Sequence, residues 1–424
     1  MTAASNTADA LVSPAVASVP SLKKRLRRAE MRKKLLYGAL ILPLAIFLLV
    51  AFVWPIASLL TRSVDNPEVH DNLPLTLREL KTWDGKDIPA AAAFAALANE
   101  LESAKGSPAI AEIAKRLNRE ETGYRSLIMK TARKLPLEAD TNIQSALIDI
   151  DARWGESDIW QAIRRSGGAT TPFYLLAAID RSIDSNGDIV TAPPEEAVYV
   201  NVLLRTFWMS MIVTGLCLVL GFPVAYLMAK LATRQSNMLM FFVVLPFWTS
   251  VLVRVAAWII LLQNEGLINK IMMAVGLTDS PLQLLFNSVG VYVAMVHILL
   301  PFMVLPLYSV MKGISPVYVR AAISLGCPPF KSFWKVYFPQ TLPGIGAGAL
   351  LVFIMCMGYY ITPALLGSPQ EQMVSYFIAF YTNQTINWGM AAALSAVLLG
   401  ATLVLYMVYA RYLGPTRVKM VKPR

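Results

Sequence analysis

Six long apolar stretches, separated by polar segments, dominate the hydrophobic pattern of the chain. They cover residues 36–60, 203–230, 238–262, 286–311, 343–366 and 389–411, with ends known to a few residues. A bilayer core about 30 Å thick is crossed by about 20 apolar residues in a helix. The pattern therefore predicts an all-α membrane protein with six transmembrane helices. The first stretch is too long for a signal peptide and lacks a small-residue cleavage site, which favours an uncleaved anchor.

The polar segment between the first two stretches, residues 63–200, is long enough to form one compact domain. Alanine-rich sequence after Ala90 favours helix by propensity, and Ile110, Ile113 and Leu117 recur at helical spacing. The segment is therefore predicted to be a mostly helical soluble insertion. Its expected small core contains Trp154, Trp160 and Ile163 together with Phe173, Leu175 and Leu176.

The charge is divided unevenly between the insertion and the rest of the chain. Only 15% of the 424 residues are charged and the net charge is +11, whereas soluble proteins carry about 25% charge. The insertion holds 22 of the 27 acids and is acidic overall, so the remainder is strongly basic. The remainder has no long basic stripe with interleaved aromatic residues, which argues against nucleic-acid binding and in favour of a lipid membrane.

The basic residues also predict an orientation, because short cytoplasmic flanks are enriched in lysine and arginine. Of the 23 bases outside the insertion, 19 flank the spans on one side, including the run from Lys23 to Lys34. We therefore expect both termini in the cytoplasm of a bacterial cell and the multi-pass chain in its inner membrane. The predicted regions are a basic tail 1–35, helix 36–62, a periplasmic insertion 63–200, a five-helix core 201–412 with a cytoplasmic loop 313–340, and a tail 413–424.

No pattern in the chain indicates catalysis or a metal site. Cys217, Cys327 and Cys356 have no metal-ligand spacing, and His70 lies in a Pro/Asp/Asn-rich loop. His297 has no nearby ligand in sequence, which favours an interhelical hydrogen bond. The sequence also lacks the glycine-rich phosphate loop that binds ATP. We therefore expect a protein that is not an enzyme and binds no cofactor itself.

The polar loop between the fourth and fifth stretches predicts a helix–turn–helix elbow. Ser315 is a good N-cap, followed by Pro316 at the first helical position. Gly326 can adopt the left-handed conformation that ends a helix, and Pro328-Pro329 prevents simple continuation. A second short amphipathic helix is expected from about Phe330 to Phe338.

The elbow resembles the coupling signature of binding-protein-dependent ATP-binding-cassette (ABC) importer permeases: Glu-Ala-Ala, three residues, Gly, nine residues, Ile, one residue, Leu-Pro. The identical positions are Ala321, Ala322, Gly326 and Pro339, while Val336 and Phe338 are apolar replacements. Arg320 stands where the family usually has Glu, which puts in doubt the polar contact made by that Glu. An ordinary short-helix connector is the simpler alternative.

The resemblance implies the type I importer permease fold and a set of partners. These partners are a dimer of a separate ATPase that uses ATP and Mg²⁺, a second permease subunit and a periplasmic substrate-binding protein. In this family the elbow transmits closure of the ATPase to the spans. A different second permease is favoured over a homodimer. The alternative class is a stand-alone secondary transporter or channel, which would normally require carboxylates in the membrane.

Two further segments, Leu245–Trp258 and Gly358–Gly367, resemble permeases of the spermidine/putrescine and opine type. They supply the candidate translocation path, which consists of Trp248, Thr249, Ser250, Arg254, Trp258, Tyr359, Tyr360, Thr362 and Pro363. Arg254 is a charge within a span, so it either faces a cavity or forms a structural hydrogen bond. Pro246 and Pro363 are expected either to free carbonyls for a cavity or simply to kink their helices.

Two features of the spans point in different directions for the identity of the transported solute. Aromatic residues including Trp388 could form a cage for a polyamine, but no span contains Asp or Glu. A polyamine is therefore the first expectation and an opine or amino-acid-like solute the second. The acidic insertion lies outside the resemblance. It is expected either to dock the binding protein or cap the pore, or merely to pack on the outer face.

Overall fold

The computed structural model describes residues 22–136, 142–184, 188–195 and 197–412. The N-terminal tail up to residue 21 and the C-terminal tail 413–424 lie outside the described residues. The chain divides into two compact units, Met1–Ser58 and Leu59–Arg424. The first unit contains α1 (Leu22–Leu48), a π-helical segment (Leu49–Val53) and the start of α2 (Trp54–Thr61).

The second unit is also mainly helical. Its insertion contains α3 (Pro67–His70), α4 (Pro74–Lys81), α5 (Ala91–Ser103), α6 (Ala109–Glu120), α7 (Tyr124–Lys134), α8 (Ile143–Ile150), a 3₁₀ turn (Ala152–Gly155), α9 (Ser157–Arg165), α10 (Phe173–Ala177) and an antiparallel hairpin of β1 (Arg181–Ile183) and β2 (Ile189–Thr191). The remaining elements are α11 (Tyr199–Lys230), α12 (Thr233–Val244), a 3₁₀ turn (Leu245–Trp248), α13 (Val251–Leu262), α14 (Leu267–Ala274), α15 (Ser288–Gly313), α16 (Pro316–Ser324), α17 (Pro329–Ser332), a π-helical segment (Phe333–Tyr337), α18 (Phe338–Met357), α19 (Ile361–Leu366), a 3₁₀ turn (Pro369–Glu371), α20 (Val374–Asn383) and α21 (Trp388–Tyr412).

Six helical stretches within the described residues are long and apolar enough to cross a membrane, which confirms the predicted number. They are Glu30–Thr61, Tyr199–Lys230, Val251–Ala274, Ser288–Gly313, Pro329–Met357 and Trp388–Arg411. The predicted third span, 238–262, is wrong in its limits. The helix breaks after Val244, because Pro246 lies in a 3₁₀ turn and the extended Thr249 and Ser250 follow it.

The centre of the membrane region is formed by α11, α15 and α18, which share one buried apolar cluster. Small side chains permit this close packing. A Cβ on Gly348 of α18 would lie 3.1 Å from the backbone oxygen of Met303 on α15. Cys217 of α11 donates its thiol to the carbonyl of Val296 on α15 at 3.7 Å. Packing through small residues is typical of helices in membranes, where lipid gives no hydrophobic drive for association.

The insertion has its own closed core, as its composition predicts. Trp154, Trp160 and Ile163 are fully buried, and the Trp154 indole donates a hydrogen bond to the Thr131 hydroxyl at 2.9 Å. Some polar groups of the insertion are buried with hydrogen-bond partners. The buried Glu100 carboxylate accepts hydrogen bonds from the backbone N–H groups at the start of α4. This placement satisfies donors that a helix N-terminus leaves free.

A buried polar cluster joins the start of the insertion to the segment that follows α9. The fully buried Asn66 donates to the carbonyls of Ser166 and Gly168 and accepts a 2.7 Å hydrogen bond from Arg116. The Arg116 guanidinium also pairs with Glu120 at 2.8 Å. The cluster therefore holds the start of the insertion against α6 and the segment after α9.

The last part of the insertion packs on the spans instead of joining the insertion core, which corrects the predicted placement of Phe173 and Leu175. These residues surround Tyr174 in a cluster that includes residues of α11, α20 and α21. A Cβ on Gly389 of α21 would lie only 2.5 Å from the Tyr174 ring. Asp180, which follows α10, accepts hydrogen bonds from the N–H groups of Tyr199 and Val200, both at 2.8 Å. The insertion is thus attached directly to the N-terminus of α11.

Candidate functional site: an elbow and a polar cluster

The first arm of the elbow is α16, and both of its ends follow from the local sequence. The Ser315 hydroxyl accepts a hydrogen bond from the Val317 N–H, with Pro316 at the first position. Gly326 has φ +89°, so the predicted left-handed conformation is confirmed. The Gly326 N–H donates to the Ile323 carbonyl and the Cys327 N–H to that of Ala322, at 2.9 and 3.0 Å. These two bonds form a Schellman motif, which ends the helix abruptly.

The second arm is helical as predicted, but it is not a separate short helix. Helical residues run without a break from Pro329 to Met357, so this arm continues into the fifth span. Pro339 has no N–H to donate, and the helix accommodates it with the π-helical segment Phe333–Tyr337, in which the Phe338 N–H donates to the Phe333 carbonyl. A π-bulge commonly absorbs such a defect. Movement of the elbow would therefore be transmitted directly along α18.

The turn of the elbow exposes large apolar side chains. Leu325, next to Gly326, is 88% exposed, and Phe330 at the start of the second arm is 75% exposed. Neither residue was among the predicted site residues, since the signature records only its spaced positions. No residue of α16 is buried in this structure. The two side chains make the turn a candidate contact surface.

The signature residues divide into a supporting set and an outward set. Phe338 packs against Trp334 and against Phe222 of α11, with ring centroids 4.8 and 5.9 Å apart. The half-buried Val336 uses its carbonyl to accept a 2.7 Å hydrogen bond from the Gln340 side chain. The outward set is Ala321 and Gly326, which are exposed, with Ala322 half-buried beside them, while the exposed Arg320 lines the recess between α16 and the ends of α11 and α15. The supporting residues of the elbow therefore pack against α11, while its small residues are on the exposed side.

The two arms are also tied to each other. The buried Ser332 hydroxyl lies within hydrogen-bond distance of the Val319 carbonyl, at 3.4 Å. Aromatic rings continue this contact toward α11, since Phe333 and Tyr337 both pack edge-on against Tyr226. The elbow is consequently a preformed unit and not an open loop.

Part of the predicted translocation path forms a polar cluster among α13, α15 and α19. The Trp258 indole donates a 3.2 Å hydrogen bond to Nδ1 of His297, which confirms the interhelical bond expected for that histidine. Arg254 lies close enough to His297 and Tyr359 for electrostatic interaction. Thr362, at the second position of α19, is fully buried. The structure thus brings together Arg254, Trp258 and Tyr359.

Two nitrogen atoms of this cluster, Nε and Nη1 of Arg254, have no hydrogen-bond partner within the described residues. The Tyr359 and Thr362 hydroxyls lie close to each other. A buried donor without an acceptor costs about 1–3 kcal/mol, and a charged one costs more. The cluster is therefore incomplete in the isolated chain. It is suited to accept a polar group from a solute or from another subunit.

The other predicted path residues lie elsewhere. Trp248 is 73% exposed on the connector between α12 and α13 and packs on Phe241, with Thr249 and Ser250 exposed beside it. Trp388 instead lies beneath the Arg62 guanidinium, 5.6 Å from the ring centroid. An aromatic cage containing all of these residues is not formed.

The start of α19 also differs from the expectation. The backbone departs from helix at Tyr359 and Tyr360, before α19 begins, whereas Pro363 is buried within that helix. Pro363 therefore does not break its helix, because a proline in the first turn replaces an N–H that would be free anyway. Pro246, in contrast, lies at a break.

The chain was compared with known proteins. Residues 221–418 match the family described as binding-protein-dependent transport system inner membrane component. The spermidine/putrescine transport system permease protein PotB of Salmonella typhimurium is 34% identical over 222 residues, which cover 52% of this chain and 77% of that protein. PotB of Escherichia coli is also 34% identical, with 81% of its length covered.

A crystal structure of a bacterial ABC transporter that imports alginate was found among solved structures, with a TM-score of 0.38 and 17% identity. It covers 49% of this chain and 79% of its own. The family match begins after the insertion, so residues 63–200 lie outside it. The sequence identity to the PotB proteins, over more than three quarters of their length, establishes the relationship. The chain belongs to the inner membrane components of binding-protein-dependent transport systems and is the permease component of an ABC importer.

Proposed function

We propose that the chain is coupled to a separate ATPase dimer through residues 315–339 and forms the translocation path together with a second, different permease subunit. The observation that carries this proposal is the elbow itself: a preformed turn that exposes Leu325 and Phe330 and continues without a break into α18. Surface that is apolar, exposed and rigidly connected is suited to receive force from a partner. ATP and Mg²⁺ are used by that partner, and we propose no cofactor for this chain.

In this proposal the elbow lies in the cytoplasm and the insertion lies in the periplasm. The distribution of lysine and arginine supports this orientation. The path of α11 supports it as well, because Asp180 of the insertion caps its N-terminus and Lys230 at its C-terminus lies beside the elbow. A helix of 32 residues is about 48 Å long, which is enough to separate the two sides of a bilayer.

The insertion serves as the docking surface for the periplasmic binding protein. Its attachment to α11, α20 and α21 through the cluster around Tyr174 supports this role, because a docked protein would then act on the outer ends of three helices. A domain that only packed on the outer face would not require its helix cap to be shared with a span.

The solute is a small polar molecule, and a polyamine is the first candidate. The PotB relatives, which are spermidine/putrescine permeases by name, support this choice. One observation favours a second candidate, an opine or amino-acid-like solute. The Arg254 guanidinium has two nitrogen atoms without acceptors, and a carboxylate would pair with it whereas a polycation would be repelled.

Uptake by the assembled importer tests both parts of the proposal. Radiolabelled spermidine should accumulate only with ATP, the ATPase and the binding protein, and deletion of residues 320–326 should abolish accumulation while the chain remains in the membrane. Uptake that survives the deletion, or that runs on an ion gradient alone, would contradict the coupling role. Competition by an unlabelled opine, but not by putrescine, would replace the polyamine with the second candidate.

A further inference from the structure

A cavity of about 710 Å³ lies behind the elbow, between α16, the π-helical segment and the ends of α11 and α15. Three cations line it, and each comes from a different element: Lys230 from α11, Lys312 from α15 and Arg320 from α16. Among the described residues that form its walls there is no Asp or Glu. The cavity is therefore positively charged on three sides.

No ion pair among the described residues neutralises these cations. The sequence contains no Asp or Glu in residues 201–264 or 280–370. Within the described parts of the chain, Lys230, Lys312 and Arg320 form no ion pair, and the only assigned contact of the Lys230 ammonium is the Tyr226 ring, 4.2 Å from its centroid. Pro316 places the N-terminus of α16, the positive end of its dipole, at the same wall.

The rest of the wall is apolar or aromatic and includes Val319, Ile323 and Phe333. A small soluble anion would gain nothing from such a wall, whereas the glycerol and upper acyl segments of a lipid would be buried against it. The cavity also lies at the ends of the membrane-length helices α11 and α15, the depth at which headgroups are found. A docked protein would first meet Leu325 and Phe330, and neither lines the cavity.

We propose that this cavity binds the headgroup phosphate of one anionic phospholipid, such as phosphatidylglycerol, between Lys230, Lys312 and Arg320. Arg320 thereby gains a role that differs from a contact with the ATPase. With Glu at position 320, as in the family signature, the cavity would have one cation fewer and an added anion. The bound lipid would hold the first arm of the elbow to the ends of α11 and α15. This inference does not depend on the identity of the transported solute.

Native mass spectrometry of the assembled importer, delipidated in mild detergent and titrated with phosphatidylglycerol or phosphatidylcholine, tests the proposal. The wild type should retain one additional phosphatidylglycerol per copy of this chain. A cation near a membrane surface contributes about 1 kcal/mol, so Lys312→Gln should weaken that binding about fivefold and Arg320→Glu about twenty-five-fold. Lys230→Gln, outside the elbow, supplies a second single-charge variant if Arg320→Glu fails to assemble.

Lys331→Gln and Lys335→Gln are matched controls, because these exposed cations belong to the same segment but do not line the cavity. They should leave the additional lipid in place. Equal losses in the controls, or equal retention of phosphatidylcholine, would overturn the proposal in favour of general surface charge. Displacement of the lipid by an equal concentration of glycerol phosphate would identify a soluble phosphate site instead. An additional lipid that appears only after the ATPase has been removed from the importer would identify a partner carboxylate in the cavity.

Discussion

The insertion and the elbow lie at opposite ends of α11 and differ in how they treat apolar side chains: the insertion buries them and the elbow exposes them. The insertion encloses Trp154 and Trp160 completely, its buried Glu100 accepts a hydrogen bond from the Thr76 N–H, and its buried Arg116 pairs with Glu120. The elbow buries no residue of α16 and leaves Leu325 almost fully exposed. A region with a closed apolar core, in which only Oε2 of Glu68 and Nη2 of Arg116 lack a partner among the described residues, is stable by itself, whereas an exposed apolar turn on a rigid support is suited to an interface. The difference indicates where the isolated chain is incomplete.

The largest expected effect is in the insertion, where Arg116→Met leaves Asn66 and Glu120 without their buried partner. Removal of one member of a buried ion pair costs about 3–5 kcal/mol. The free energy of unfolding of the insertion should fall by that amount, measured by limited proteolysis of the full chain. Lys115→Met is the control, because Lys115 is exposed one position earlier. A loss below about 1 kcal/mol for Arg116→Met would show that the insertion is not held together by this cluster.

The next effect is in the elbow, where Gly326→Pro removes the left-handed residue that ends α16. An L residue at that position costs about 1–2 kcal/mol, and proline costs more because its ring fixes φ near −65°. ATP-driven uptake should fall at least about tenfold while the insertion remains resistant to protease. Gly313→Ala is the control, since a Cβ at Gly313 meets no atom within 4 Å and its φ is not positive. Normal uptake by the Gly326→Pro variant would show that the elbow is not required for coupling to ATP hydrolysis.

Leu325→Ser tests the exposed turn of the elbow alone, because it changes the proposed contact surface for the ATPase without changing a buried core. The exposed side chain contributes little to folding, so the free energy of unfolding should change by less than about 0.5 kcal/mol. The affinity for the ATPase should nevertheless fall about tenfold, measured by titration of the detergent-solubilised complex. Leu277→Ser is the control, as Leu277 is 70% exposed after α14. If the Leu325→Ser and Leu277→Ser variants bound the ATPase with equal affinity, the elbow would not be the surface that binds it.

The smallest effect concerns the attachment of the insertion to α11. Asp180→Ala removes a carboxylate that caps two N–H groups of that helix. Loss of such a cap costs about 1 kcal/mol, so the melting temperature of the full chain should fall by a few degrees or less. Asp188→Ala, in the exposed start of the neighbouring strand region, should leave the melting temperature unchanged. If both substitutions lower it equally, the carboxylate of Asp180 is not a specific connection.

Much of this architecture could be predicted from local patterns. Apolar length predicts six spans, and Ser315, Pro316 and Gly326 predict both ends of α16, because capping depends on nearest neighbours in sequence. The continuous helix through Pro339 could not be predicted, since a π-bulge depends on the packing of Phe333 and Phe338 against α11. The sequence also places Tyr174 and Phe173 in the insertion without indicating that they pack against the spans.

The residues expected to line the translocation path lie together less completely than those of the elbow. Its nine residues were selected by resemblance, and the structure gathers Arg254, Trp258 and Tyr359 while Trp248 remains on an exposed connector. Long-range proximity within a membrane depends on helix rotation and breaks, which an apolar run does not encode. The cavity behind the elbow was not predicted either, because its three cations are separated by up to 90 positions in sequence.

Coupling of the exposed turn to a separate ATPase is tested most directly by site-specific photocrosslinking in native membranes. A photoreactive residue placed at Leu325 should form an adduct with the ATPase subunit, and the same residue at Leu277 should form none. These positions are similarly exposed but lie at different ends of the spans in the proposed orientation. An ATPase adduct at Leu277, or none at Leu325, would contradict the account.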